Sequence, residues 1–393
     1  MGVRLSLFWF TYMVGLGTFF PFFSLYLRQR LGMSGTQVGL VTAMIPLVGL
    51  LVQPLWGYLA DRTGSRRRIL VVVSAGVGVA NLALGYFHGF TGVLLGTALL
   101  ALFSTVVISM ATAVSLGATA DQGPHAFGIV RMWGTLGFLA AVVCFPRVLE
   151  SFPGIALGSG PWHGLGLMFP IIAVFSLVAA AVAATLPASR ALELRSRPGD
   201  TRQLLRHPPV VRLLLFVFAI HCCVQGPIYL FPLYITERGG DVSSLGNMWI
   251  FMLLLEIPLI GFLGSALRRV GPRGLLLLGI GAEAIRWGTC AFTDNLSVIT
   301  AVQLLHGVGV AGIILGAPLY LEQAVPERQR STGQAMVSAA GFGAGSIFSN
   351  TLGGLAFDHL GPEAPYFLSS VGTTLLALLL LRGLPRPYRP EEV

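Results

Sequence analysis

Glu256, Glu283, Arg286, Arg131, Gln303 and His306 are the side chains whose placement demands a chemical reason, because each falls inside a run of almost wholly apolar sequence. A charge in hydrocarbon is costly unless it is paired or faces a water-filled cavity. Glu256 lies about 16 Å into its run at about 1.5 Å per helical residue, with no basic neighbour on its own helix, so its carboxyl is a candidate proton carrier. Glu283 and Arg286, three apart on one helical face, can neutralise each other or serve a solute or a proton. Arg131, near the end of its run, can snorkel or line a cavity. His306 stands one turn from Gln303 and His221 one turn from Gln225, so imidazole and amide groups can bind a polar solute or simply pack. The expected proton-coupling residues are therefore Glu256 and Glu283, and the expected solute contacts are Arg131, Thr135, Gln225, Arg286, Gln303 and His306. No nucleophile with its base, no His-Glu-x-x-His pair and no phosphate-binding Gly-x-x-x-x-Gly-Lys loop occurs, so neither a cofactor nor a metal nor enzyme chemistry is expected.

The elements that must hold these groups follow from composition. Of 393 residues, 54% are hydrophobic and 10% charged, against roughly a quarter charged in soluble domains. The lipid bilayer is the solvent. A hydrocarbon core of roughly 30 Å takes about 20 apolar residues per helix, which predicts an all-α membrane protein with twelve spans at residues 5–27, 38–60, 69–87, 92–116, 127–148, 165–186, 210–235, 245–267, 274–292, 297–320, 333–357 and 365–383. Every basic residue is Arg. Nineteen fall on one side of this arrangement, four (Arg28, Arg30, Arg147, Arg238) on the other, and Arg131 and Arg286 within spans. That asymmetry predicts cytoplasmic N- and C-termini and accounts for the basic balance without nucleic acid. Cys144, Cys222, Cys223 and Cys290 lie in apolar runs and are expected to be free thiols.

A polar, proline-bounded stretch at 187–209 divides the spans six and six, predicting an N-terminal bundle over 1–186, a cytoplasmic linker and a C-terminal bundle with a short tail over 210–393. The loop Gly57-Tyr58-Leu59-Ala60-Asp61-Arg62-Thr63-Gly64, followed by Arg66, Arg67 and Arg68, separates spans two and three. Shifted by 207 residues it meets a degenerate copy, in which Gly264, Arg268, Arg269 and Gly271 replace Gly57, Asp61, Arg62 and Gly64. Inverted or parallel repeats of membrane helices mark transporters in which one half rocks against the other. Asp61 sits at the dipole-negative end of its helix, where a carboxylate needs a partner. Arg62, the arginines at 66–68 and the N–H groups at the start of another helix are the possible partners, so Gly57, Asp61, Arg62, Gly64, Arg268 and Gly271 are read as a gating latch, with Gly57 and Gly64 allowing close packing and a tight turn.

This loop and its echo resemble the signature of the major facilitator superfamily. Gln53-Pro54, Phe127-Gly128, Arg131 with Trp133-Gly134-Thr135, Glu256-Ile257-Pro258, Arg286-Trp287, Gln303 with His306-Gly307, and Gly353-Gly354 with Asp358 are similar to the branch of nucleoside:proton symporters and the phenylpropionate permease. Where members of that branch often carry an acid late in span four, this chain has Thr112-Ala113-Val114-Ser115. The resemblance implies a secondary transporter of the bacterial inner membrane, working as a monomer, that moves a small organic solute by alternating access with proton symport. A proton-coupled exporter is the alternative reading. A membrane sensor, which would need a soluble output domain, and a membrane-embedded enzyme stand further off.

Overall fold

A computed structural model describes residues 2–122, 126–151, 164–186 and 199–383, with the side chains of 121, 257, 260–268 and 383 also outside it. Most of the expected linker (187–198), the tail (384–393) and the side chain of Arg268 therefore lie outside the described residues. All twelve expected spans are helical, and the described residues contain no strand. Span one runs Gly2–Gln29, span two Gly35–Thr63, span three Arg66–Leu84, span four Gly89–Thr119, span five Ala126–Ser151, span six Gly164–Ala184 and span seven Pro208–Glu237. Spans eight and nine form one run, Val242–Phe292, broken at Gly271. Span ten covers Leu296–Ala324 and span twelve Ala364–Arg382. Span eleven joins Glu327–Ser338 to Ser346–Leu360 through a π-helical segment, Ala339–Gly345. Among the described residues, ten helices are long and apolar enough to cross a membrane. In span eight the described apolar stretch is Val242–Glu256, since the side chains of 257 and 260–268 lie outside the described residues.

Local chemistry sets the boundaries. Ser34 caps span two by accepting from the Gln37 N–H while the Gln37 side chain accepts from the Ser34 N–H, a reciprocal capping box. Gly64 ends the helix at φ 61°, and Ser65 starts span three by accepting from the Arg68 N–H. Gly271, its counterpart in the repeat, also has positive φ, 69°. Glycine takes positive φ without strain; the two positions share that need but not the turn itself, since ψ is 14° at Gly64 and 172° at Gly271. Within the spans, Thr11, Thr18, Thr42, Thr105 and Thr119 return their hydroxyls to carbonyls one turn earlier, which satisfies them where no water is available.

The chain divides into two compact units, Met1–Leu192 with Gly239–Ile250, and Glu193–Arg238 with Phe251–Val393. The end of the polar stretch thus belongs to the second unit: Leu204 enters its core, and buried Asp200 pairs with Arg328 at 2.8 Å. Each unit is drawn together by a glycine crossing. A Cβ on Gly137 of span five would lie 2.2 Å from the Phe10 carbonyl oxygen of span one, and one on Gly226 of span seven 2.2 Å from that of Ser349 in span eleven. The Gly226 N–H also donates to Ser349 Oγ at 2.7 Å. Gly137→Ala and Gly226→Ala are each expected to lower stability by about 1–3 kcal/mol, the usual cost of overpacking against backbone. Thermal unfolding of the purified variants in detergent measures this.

Candidate functional site

The second unit builds a polar cluster around Arg286, whose side chain is 1% exposed. Span nine carries Glu283 and Arg286 on one face, and the Arg286 Nη1 donates to both carboxylate oxygens of Glu283 at 3.2 Å. Span ten supplies two further partners. Arg286 Nε donates to Gln303 Oε1 at 2.8 Å, and Nη1 stands 3.1 Å from His306 Nδ1. Met252 of span eight accepts from Nη2 through its sulfur at 3.7 Å, and the guanidinium lies over the Trp287 ring at 4.0 Å. An arginine shared among a carboxylate, an amide and an imidazole in a water-poor place is held by charge-assisted bonds of the strong kind.

Gln303 is held at both ends of its amide, since its Nε2 also donates to the Ile299 carbonyl at 2.9 Å. Backbone bonds from Gln303, Leu304 and His306 reach back only three residues, so span ten tightens here. It then loosens into a π-helical turn at Ala311–Leu315. Glycines let this irregular stretch come close. A Cβ on Gly307 would meet the Glu256 backbone nitrogen at 2.7 Å, one on Gly309 the Glu283 carboxylate at 2.1 Å, and one on Gly312 the Gly279 Cα at 2.4 Å.

Of the residues picked from sequence, Glu283, Arg286, Gln303 and His306 come together. Glu256 is half-buried on span eight, and it is its backbone that abuts Gly307. Gln225 is half-buried on span seven beside the Gly226 crossing. His221 packs instead: its Nδ1 bonds the Val217 carbonyl at 2.8 Å, and its ring lies edge-on to Phe342, against Gly341 and Gly345. In the first unit, Arg131 and Thr135 lie one turn apart on span five, both half-buried. The Arg131 guanidinium sits 4.4 Å over the Trp9 ring, and the Trp9 N–H donates to Ser115 Oγ at 3.0 Å. Ser115, in the stretch lacking the acid, thus orients an aromatic surface for an arginine. The aromatic residues around Pro21 and Pro227 are largely packing groups, as when Phe22 meets Phe145 and Tyr26 meets Phe169.

The loop between spans two and three departs from expectation. Asp61 is exposed and, among the described residues, makes no ion pair with Arg62 or the arginines at 66–68. Arg67 instead donates to the Leu186 carbonyl at 2.8 Å, which turns it toward span six. A Cβ on Gly57 would meet nothing within 4 Å, so close packing at Gly57 is not used in this conformation. The reason is the solvent: an exposed carboxylate is already hydrated and gains little from a surface pair.

Sequence reading missed Met252, Trp9, Ser115 and Gly309. Trp9 and Ser115 are 106 residues apart and carry no periodic signal. Gly309, two residues after Gly307, was visible only as one glycine among 50.

The MFS_1 like family model matches residues 3–368. The maltose permease of Geobacillus stearothermophilus is 30% identical over 383 residues, covering 95% of this chain and 92% of that protein. Among solved structures, a mutant of the nucleoside transporter NupG superposes with a TM-score of 0.85 at 15% identity, covering 97% of this chain and 98% of that one. The D-xylose-proton symporter does so with a TM-score of 0.74 at 15% identity, covering 98% of both chains.

Proposed function

The chain belongs to the MFS_1 like family of multi-pass membrane transporters, and from that premise we propose that it imports a small polyhydroxylated solute, of sugar or nucleoside type, by proton symport. The Glu283–Arg286–Gln303–His306 cluster carries this reading. With Glu283 ionised its charges cancel, and what it offers is a set of donors and acceptors without net charge, which suits a neutral, hydroxyl-rich ligand. A carboxyl that releases its arginine on taking a proton gives the coupling step a physical basis. The solutes for which the maltose permease, the nucleoside transporter and the xylose symporter are named support the class. Arg131 with Thr135, and Gln225, are the remaining solute contacts in this proposal, and Glu256 is a second proton carrier.

Alternating access of two six-helix halves, N- and C-termini in the cytoplasm, location in the bacterial inner membrane and action as a monomer complete the reading. The arginine asymmetry of the loops supports the orientation. Gly57, Asp61, Arg62, Gly64, Arg268 and Gly271 form the cytoplasmic gate, and the unpaired Asp61 suits the open position of that latch.

Proteoliposomes with an inside-alkaline pH gradient, offered maltose, xylose, nucleosides and 3-phenylpropionate in turn, test the proposal. One of the hydroxylated solutes is expected to accumulate and to leave on addition of a protonophore. Glu283→Gln is expected to abolish accumulation while retaining solute exchange across the membrane without a gradient. Exit of preloaded solute against entering protons would replace symport by antiport, and gradient-driven accumulation by Glu283→Gln would remove Glu283 from coupling.

A further inference from the structure

Span ten is the least regular helix of the second unit, and its irregularity coincides with the polar cluster. Between Gln303 and His306 it is overwound, with bonds to the third residue back; at Ala311–Leu315 it is underwound into a π turn. Short 3-10 and π segments inside a long helix commonly mark hinges and functional places. The segment 303–315 also contains the three glycines, Gly307, Gly309 and Gly312, that face the Glu256 backbone, the Glu283 carboxylate and the Gly279 backbone. No side chain of its own wedges it there. What crosses the overwound turn is a single guanidinium: Arg286 holds Gln303 before the turn by Nε and His306 after it by Nη1.

We infer that Arg286 pins a joint in span ten, holding residues 303–315 out of regular α-helix, and that Glu283 decides whether the pin stays in place. The argument is one of competing partners. The guanidinium is oriented by the two Glu283 oxygens, and a neutral carboxyl can no longer accept both bonds as an anion. Arg286 is then free to turn, and the arms to Gln303 and His306 weaken together. The titratable group set against Glu283 is Arg286 on its own helix, which in turn meets His306 of span ten. Cys290, further along span nine, meets the Gln303 amide through its sulfur at 3.7 Å, and on span eight it is the Glu256 backbone that abuts Gly307. The inference rests on the transport reading only in letting a proton reach Glu283; the joint itself is a property of the second unit.

Amide hydrogen exchange by mass spectrometry on the full chain in lipid nanodiscs tests it without any solute. Glu283→Gln imitates the protonated carboxyl. Gln303→Leu leaves the Glu283–Arg286 pair intact and removes the arm before the turn, together with the amide's own bonds to the Ile299 carbonyl and the Cys290 sulfur. Both are expected to raise exchange across 303–315 about tenfold over the unmodified chain, equivalent to about 1.4 kcal/mol of local opening. Peptides from span seven should be unchanged, which separates a loosened joint from general unfolding. Unaltered exchange at 303–315 in both variants would overturn the pin. If Glu283→Gln loses accumulation but not protection, the pin is wrong and the coupling proposal stands. If protection falls in both variants yet transport ignores the pH gradient, the coupling proposal is wrong and the pin stands.

Discussion

Arg286→Met is expected to destabilise the protein by about 3–5 kcal/mol, the cost of leaving one member of a buried ion pair without its partner, and to abolish solute uptake. The side chain it removes is 1% exposed and serves Glu283, Gln303, His306 and Met252 at once. The double variant Glu283→Gln/Arg286→Met is expected to regain most of the lost stability, because a well-packed neutral replacement of a buried pair is often neutral or better. It should nevertheless remain inactive in gradient-driven accumulation. Thermal unfolding of the single and double variants in detergent, alongside uptake into proteoliposomes, reads both quantities. Equal destabilisation in the single and double variants would mean that Arg286 acts through packing over Trp287 rather than through charge. Recovery of stability without accumulation is the outcome that assigns the pair to transport, since a purely structural pair would return both together.

The fold was legible because lipid permits few solutions. Uninterrupted backbone hydrogen bonding in hydrocarbon leaves helices as the form for apolar stretches of this length, and twelve such stretches became twelve helices. The loop repeat was legible for a related reason: Gly64 and Gly271 both stand at positive φ, so glycine is matched in the copy where Asp61 and Arg62 are matched by two arginines. Half of the site was legible as well. Glu283 and Arg286 share a helical face by spacing alone, and Gln303 and His306 are polar where polarity is costly. What spacing could not supply was the arrangement between helices. That Gln303 and His306 grip the same guanidinium depends on how span nine crosses span ten, and that crossing is set by Gly279 and Gly312, which meet backbone to backbone. Ser115 and Trp9 were invisible for the same reason. Asp61 differs again: Arg62 and the arginines at 66–68 are near it in sequence, yet the exposed carboxylate is hydrated and pairs with none of them among the described residues.

Gly309→Ala provides the second large effect, and it separates function from folding. A Cβ at this position would lie 2.1 Å from Glu283 Oε1 and 3.0 Å from Cδ. The obstruction is the end of a side chain and not backbone, so the helix can keep its place while the carboxylate moves. The fold is therefore expected to survive, at a lower thermal stability, because the about 0.5–1 kcal/mol that alanine regains in a helix relative to glycine offsets only part of what the displaced carboxylate loses. The carboxylate, once displaced, loses its two bonds to Arg286, and hydrogen bonds to a charged group contribute about 1.5–3 kcal/mol each. Gradient-driven accumulation should fall at least about tenfold, which is about 1.4 kcal/mol and so less than one such bond. Gly281→Ala is the matched control: it lies two residues before Glu283, and a Cβ there would meet nothing within 4 Å. It should transport normally and be no less stable. If the two variants behave alike, the space at Gly309 serves only packing. If Gly309→Ala remains folded but loses accumulation while Gly281→Ala keeps it, the carboxylate position itself is what transport requires.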